Sequence, residues 1–120
     1  MRRAFASAAL GSALLSFAGC SDQPSESRMR SWVEQQWGLP KCKGSTYTFV
    51  ERDPGGGWQG GWNTFVVEAD NACWEAWHQS IMSRGGQCKS RRCDISTGEE
   101  GLGVEQETQT RLRVTKWSNT

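Results

Sequence analysis

The 120 residues predict an α+β fold: a small antiparallel sheet of three to four strands, two helices packed on one of its faces, and two disulfides. Three observations carry that expectation. Apolar side chains recur at helical spacing in two separated stretches, around 29–37 and 73–81. Runs rich in β-branched and aromatic residues lie between and after them. Cys42, Cys88 and Cys93 fall between or after these segments, and Cys73 opens the second helical stretch.

The first helix starts at Ser25 or Ser27, either of which can accept a backbone N–H from the first turn. Met29, Trp32, Val33 and Trp37 form its apolar stripe, the face expected to dock on the sheet. Gly38 offers a left-handed stop, Leu39 is placed to reach back to Val33, and Pro40 forbids continuation. Thr46–Arg52 and Trp62–Ala69 flank the turn-forming run Asp53-Pro54-Gly55-Gly56-Gly57 and read as an antiparallel hairpin. Asp70 or Asn71 caps a second helix that runs to about Arg84, with Cys73, Trp77 and Ile81 on one side and Gly85-Gly86 ending it. Cys88-Lys89-Ser90-Arg91-Arg92-Cys93 is a short basic segment bounded by cysteines. The stretch from Asp94 to Thr108 is acidic and Gly-rich, and reads as a loop. Thr110–Trp117 alternates, Leu112 and Val114 to one side and Arg111, Arg113 and Thr115 to the other, as a half-solvated strand does. The order helix, strand, strand, helix, strand places helices on one face of an antiparallel sheet.

That order also bears on the cysteines. The residue before the first strand of a hairpin and the residue after its second strand meet at the open end, which makes Cys42 and Cys73 neighbours and leaves Cys88 and Cys93 to pair across a tight loop. The alternative, Cys73 with Cys88, has to return along about 16 Å of helix through a four-residue connection, a strained route.

The N-terminus has the parts of an export signal: Arg2 and Arg3, an apolar run from Ala4 to Ala18, and the small pair Ala18-Gly19 before Cys20. The run is shorter than the ~20 apolar residues of a membrane-spanning helix. Ending in Phe17-Ala18-Gly19-Cys20, it resembles the signal peptide and lipobox of bacterial lipoproteins, with Phe17 where Leu is usual. The resemblance implies removal of residues 1–19, palmitate and other fatty acyl groups on Cys20, a lipidated cysteine and short tether over 20–27, and one α+β domain over 28–120. It further implies, from Ser21 rather than Asp after the cysteine, an outer-membrane protein held by lipid and facing the periplasm. With Cys20 spent on lipid the remaining cysteines are four, an even number in an oxidising compartment, which favours two disulfides. A zinc site is the rival, but Cys-x4-Cys with two distant cysteines and a lone histidine lacks the tight paired spacing of structural zinc modules.

Losing Arg2 and Arg3 lowers the 14 basic side chains to 12 against 13 acidic ones, a net charge near −1, so no basic field exists to hold nucleic acid. No cofactor, no metal and no catalytic residue is expected. His78 forms Glu-x-x-His with Glu75, but the second such pair of a di-metal bundle is missing. Ser80 and Ser83 are not in a nucleophile elbow, and the carboxylates Glu51, Asp53, Glu68 and Asp70 have no fixed common face. The most suggestive patch is Gly55-Gly56-Gly57-Trp58-Gln59-Gly60-Gly61-Trp62, where Trp58 and Trp62 form a candidate recognition loop, able to stack on a glycan or fill a partner's pocket; the plainer role is to cover the small sheet. The basic loop Lys89, Arg91, Arg92 and the acidic residues Glu99, Glu100, Glu105 and Glu107 are docking charges or simply solvated. The sequence therefore reads as a membrane-anchored, non-enzymatic binding or structural module whose partners are the membrane and an envelope protein or glycan. The alternative is an immunity or inhibitor protein against a periplasmic toxin or wall-degrading enzyme.

Overall fold

The computed structural model describes residues 23–53 and 61–118; Cys20 and Trp58 lie outside the described residues. The Ser25 hydroxyl accepts the Arg28 N–H at 3.1 Å and opens α1, Glu26–Ser31, which continues as a π-helical turn over Trp32–Gln36. Gly38, at φ +66°, ends it, and the Leu39 N–H donates to the Val33 carbonyl at 2.9 Å. The strands are β1 Thr46–Asp53, β2 Trp62–Glu68, β3 Gln87–Lys89, β4 Arg92–Ser96, β5 Glu100–Thr108 and β6 Arg111–Ser118. Helix α2, Asn71–Ser83, joins β2 to β3.

These strands form one antiparallel sheet in the order β1-β2-β6-β5-β4-β3. Six strands replace the three or four expected. The basic segment between Cys88 and Cys93 is the β3–β4 hairpin, turned at Ser90 with φ +56°. The acidic, Gly-rich stretch read as a loop supplies the end of β4 and all of β5. Glycine and glutamate disfavour strands in isolation. Here β5 lies between β4 and β6, so both of its edges are paired and local preference is overridden.

The register sorts side chains into two faces. One cross-strand row reads Phe49, Phe65, Val114, Val104, Cys93, Cys88, and the rows beside it contribute Tyr47, Val67 and Leu112 on one side and Leu102 and Ile95 on the other. Met29, Val33 and Trp37 from the α1 segment and Cys73, Trp74, Trp77 and Ile81 from α2 bury against this face in a single core. Both helices therefore share one side of the sheet, as the sequence implied. Trp32 is only partly buried: it packs on Phe65 with ring centroids 6.1 Å apart, and the Lys116 ammonium sits 4.9 Å from its ring. Burial lowers the Lys116 pKa, Arg28 adds to the fall, and Glu100 opposes it.

Helix α2 holds the chain between α1 and β1 at three points. Cys73 is bonded to Cys42. The Trp77 indole N–H, from a side chain with no exposed surface, donates to the Pro40 carbonyl at 2.8 Å. The Arg84 guanidinium, just past the helix end, donates to the Trp37 and Gly38 carbonyls. The second bridge, Cys88–Cys93, joins directly opposed residues of β3 and β4. Both pairings are those expected from the hairpin. The first closes a loop with a sequence separation of 31 and the second one of 5. On a chain-entropy account, loss of the first costs about 4 kcal/mol and of the second about 2 kcal/mol. We expect the Cys42→Ser/Cys73→Ser chain to lose about twice the urea-unfolding free energy lost by Cys88→Ser/Cys93→Ser.

On the opposite face Glu107 accepts from Arg113 at 2.6 Å and from Arg111 at 3.0 Å. The Arg113 hydrogen bond is the largest influence; with the Arg111 hydrogen bond and the charges of both guanidinia it outweighs desolvation and holds the Glu107 carboxyl below its usual range. A carboxyl depressed in the folded state stabilises above its unfolded pKa, and that stabilisation disappears as pH falls through the folded value. The group is solvent-screened, so its share is about 1 kcal/mol or less. In urea unfolding at neutral pH and at about pH 3, Glu107→Gln should show a smaller acid-induced loss of stability than the parent, by up to that amount.

Candidate functional site

Among the described residues, the sheet face opposite the helices carries two indoles and several polar side chains. Two of its cross-strand rows are Asp53, Trp62, Trp117, Gly101, Ser96 and, one step along the strands, Glu51, Thr64, Thr115, Gly103, Asp94, Gln87. Trp62 and Trp117 are directly opposed across β2 and β6. Trp62 keeps 40 % of its surface exposed and Trp117 is half-buried.

Two glycines of β5 shape this surface. A Cβ at Gly101 would come within 2.3 Å of the Trp117 indole, so that indole lies down on the backbone of β5 because nothing projects there. A Cβ at Gly103 would meet Arg92 at 2.6 Å and Asp94 at 2.8 Å, and these two side chains pair with each other over the gap at 3.0 Å. Glu105 lies 3.9 Å from the same guanidinium. An indole plane from β6 and an internally neutralised ion pair from β4 thus meet over the backbone of β5 between them.

A cleft of about 360 Å³ opens next to them, between the end of α2 and the sheet. Its cause is topological. β3 begins at Gln87, opposite Asp94, so among the described residues Ile95 and Ser96 of β4 have no strand beyond them. The chain arriving from α2 turns instead through Gly85, at φ +88°, and Gly86, which packs against Ile81 and the Asp94 carbonyl. Trp117, Asp94, Gln87 and Ser96 line the cleft. It offers an aromatic plane, a carboxylate, an amide and a hydroxyl, the mixture that recognises a polyhydroxylated ring.

Of the residues singled out from sequence, Trp62 belongs to this face and Trp58 lies outside the described residues. Cys42, Cys73, Cys88 and Cys93 are in the two bridges. Glu51 and Glu68 point to this same face from separate rows, and Glu68 is 3.6 Å from Arg111. The acidic stretch is no protruding loop: Glu105 and Glu107 lie on β5 against arginines. His78 stacks edge-on to Trp74 at 5.5 Å and faces the Cys88–Cys93 bridge, not a second carboxylate–histidine pair. The sequence reading missed Trp117 and the cleft. The Gly-x-Gly of β5 was the available signal, since glycines inside a strand mark a close approach of other groups.

Gly101→Ala should push the Trp117 indole off β5, changing the near-ultraviolet dichroism and costing about 1–3 kcal/mol. In Trp117→Ala the same change should cost much less, a coupling that a double-mutant cycle measures. Comparison with protein-family models, with curated proteins and with solved structures gives no match for this chain.

Proposed function

We propose that the chain is a non-enzymatic lipoprotein of the bacterial outer membrane, anchored through Cys20, facing the periplasm, and binding an envelope glycan with its helix-free face. The observation that carries this reading is the Trp62–Trp117 pair beside a polar cleft, at the pole of the sheet away from the start of α1. Glu26, in the first turn of α1, accepts the Tyr47 N–H at 3.0 Å near one end of the strands, while Gln36 at the far end of the segment donates to Glu100. The strands between run from Glu68 at the first pole to Trp62 at the second, a distance of roughly 20 Å.

An anchor on Cys20 is five residue steps from the helix cap Ser25, at most roughly 18 Å of extended chain. The start of α1 would therefore stay next to the bilayer, and the indole pair would look away from it, toward the periplasm. Stacking on indole suits a sugar ring, whose C–H faces are apolar and whose rim is hydroxylated. Asp94, Gln87 and Ser96 supply acceptors and donors for that rim.

Acylation is read by intact-mass analysis of protein made in a Gram-negative host: the parent should carry diacylglycerol and an amide-linked acyl chain, and Cys20→Ser should not. Binding is read by calorimetric titration with soluble wall fragments and envelope polysaccharides. We expect Trp62→Ala/Trp117→Ala to lose about tenfold or more in affinity while staying folded. Absence of acylation ends the anchor reading; unchanged binding by the double variant, or no saccharide bound by the parent, ends the glycan reading.

A further inference from the structure

The helix-side face holds a second cluster, separate from the indole face. Cys88 and Cys93 are opposed in the β3–β4 register, and α2 brings His78 down beside them. An imidazole nitrogen of His78 and the two sulfurs all lie within 4.8 Å of one another. The Cys88 sulfur is also 4.0 Å from the His78 carbonyl oxygen, so the helix backbone and the hairpin are in contact there. Cys93 is fully buried, whereas Cys88 and His78 are half-buried. One wall is dry and the other meets solvent, at a shallow hollow of about 370 Å³ lined by His78 and Met82, one helical turn apart.

We infer that the Cys88–Cys93 bridge is the closed state of a redox-gated metal site, in which both thiolates and the His78 imidazole bind one thiophilic d10 cation of the Zn2+ type after reduction. Tetrahedral zinc with thiolates at ~2.3 Å and imidazole at ~2.1 Å sets neighbouring donors roughly 3.5–3.8 Å apart. The His78 nitrogen and both sulfurs lie within 4.8 Å of one another, so closing on one ion requires that the sulfurs part and the imidazole settle to that spacing. With three protein ligands the fourth position is left to water, as in zinc sites with an open position, and the hollow lined by His78 and Met82 brings solvent to the His78 side. Sulfur donors with imidazole select zinc and similar soft ions over magnesium or calcium.

The step balances with a dithiol reductant. The bridge accepts two electrons and two protons, the dithiol closes to its own disulfide, and the metal then displaces the two thiol protons to solvent. While the bridge is intact neither sulfur is a thiolate, and thiolate is the ligand. Metal uptake is thereby conditional on reduction.

The test uses the full chain and Co2+ as a spectroscopic stand-in for zinc. Graded treatment with a water-soluble phosphine, followed by alkylation and mass spectrometry of a portion, identifies the point at which Cys88 and Cys93 are free. At that point we expect one equivalent of Co2+ to give thiolate-to-cobalt charge-transfer and tetrahedral d–d bands, both displaced by Zn2+. Untreated protein should give none. His78→Ala should shift the d–d bands and weaken binding by about tenfold or more, and Cys88→Ser should remove the charge-transfer band while Cys42→Ser keeps it. The inference is overturned if freed Cys88 and Cys93 give no charge-transfer band, whether or not the reduced chain stays folded. It is equally overturned if His78→Ala leaves spectrum and affinity unchanged, or if the band follows Cys42 instead of Cys88.

Discussion

The grip of α2 on the segment between the first helix and the first strand is the constraint from which the architecture follows. Cys73 and Trp77 are one helical turn apart, and they hold Cys42 and the Pro40 carbonyl. Arg84, past the helix end, takes the two carbonyls that terminate the α1 segment. The carbonyls it satisfies are among those a helix C-terminus leaves without intrahelical partners. One covalent bond, one hydrogen bond from a fully buried indole and one guanidinium fork thus fix the two helices in a common layer. A small domain has little apolar surface to bury, and this clamp lets that surface be shared by both helices and one face of the sheet.

Among the described residues, placing both helices on one face leaves the other without a helical cover, and the chain resolves that face with polar pairing and flat aromatic packing. Thr64 and Val66 are nevertheless buried there. Arg111 and Arg113 converge on Glu107, and Arg92 spans Asp94 and Glu105. Exposed pairs of this kind add little stability each; they hold the face polar and orderly around the two indoles. The missing side chains of Gly101 and Gly103 make room for Trp117 and for the Arg92–Asp94 pair. The glycines that weaken β5 as an isolated strand therefore shape the surface around the two indoles.

The π-helical turn over Trp32–Gln36 shows how local geometry divides one helical stripe. Val33 and Trp37 go into the core, while Trp32 sits at its margin between the Phe65 ring and the Lys116 ammonium. The spacing of these apolar residues announces a helix and an apolar face. It does not announce which member stays at the rim, because that depends on the wider turn and on where the sheet lies.

Local chemistry by itself determined the elements whose cause is local. Ser25 could cap, Gly38 and Gly85 could turn, Leu112 and Val114 had to share a face, and a hairpin between Cys42 and Cys73 had to bring their sulfurs together. These follow from backbone sterics, capping geometry and the two-residue period of a strand. Tertiary structure alone decided that the acidic, Gly-rich stretch would be an interior strand, because pairing on both edges outweighs its weak intrinsic preference. It also decided that Trp117 would lie across Gly101, and that the single histidine would meet the second cysteine pair instead of a carboxylate. Those juxtapositions join residues far apart in sequence through a register and a helix placement, and no local signal encodes either.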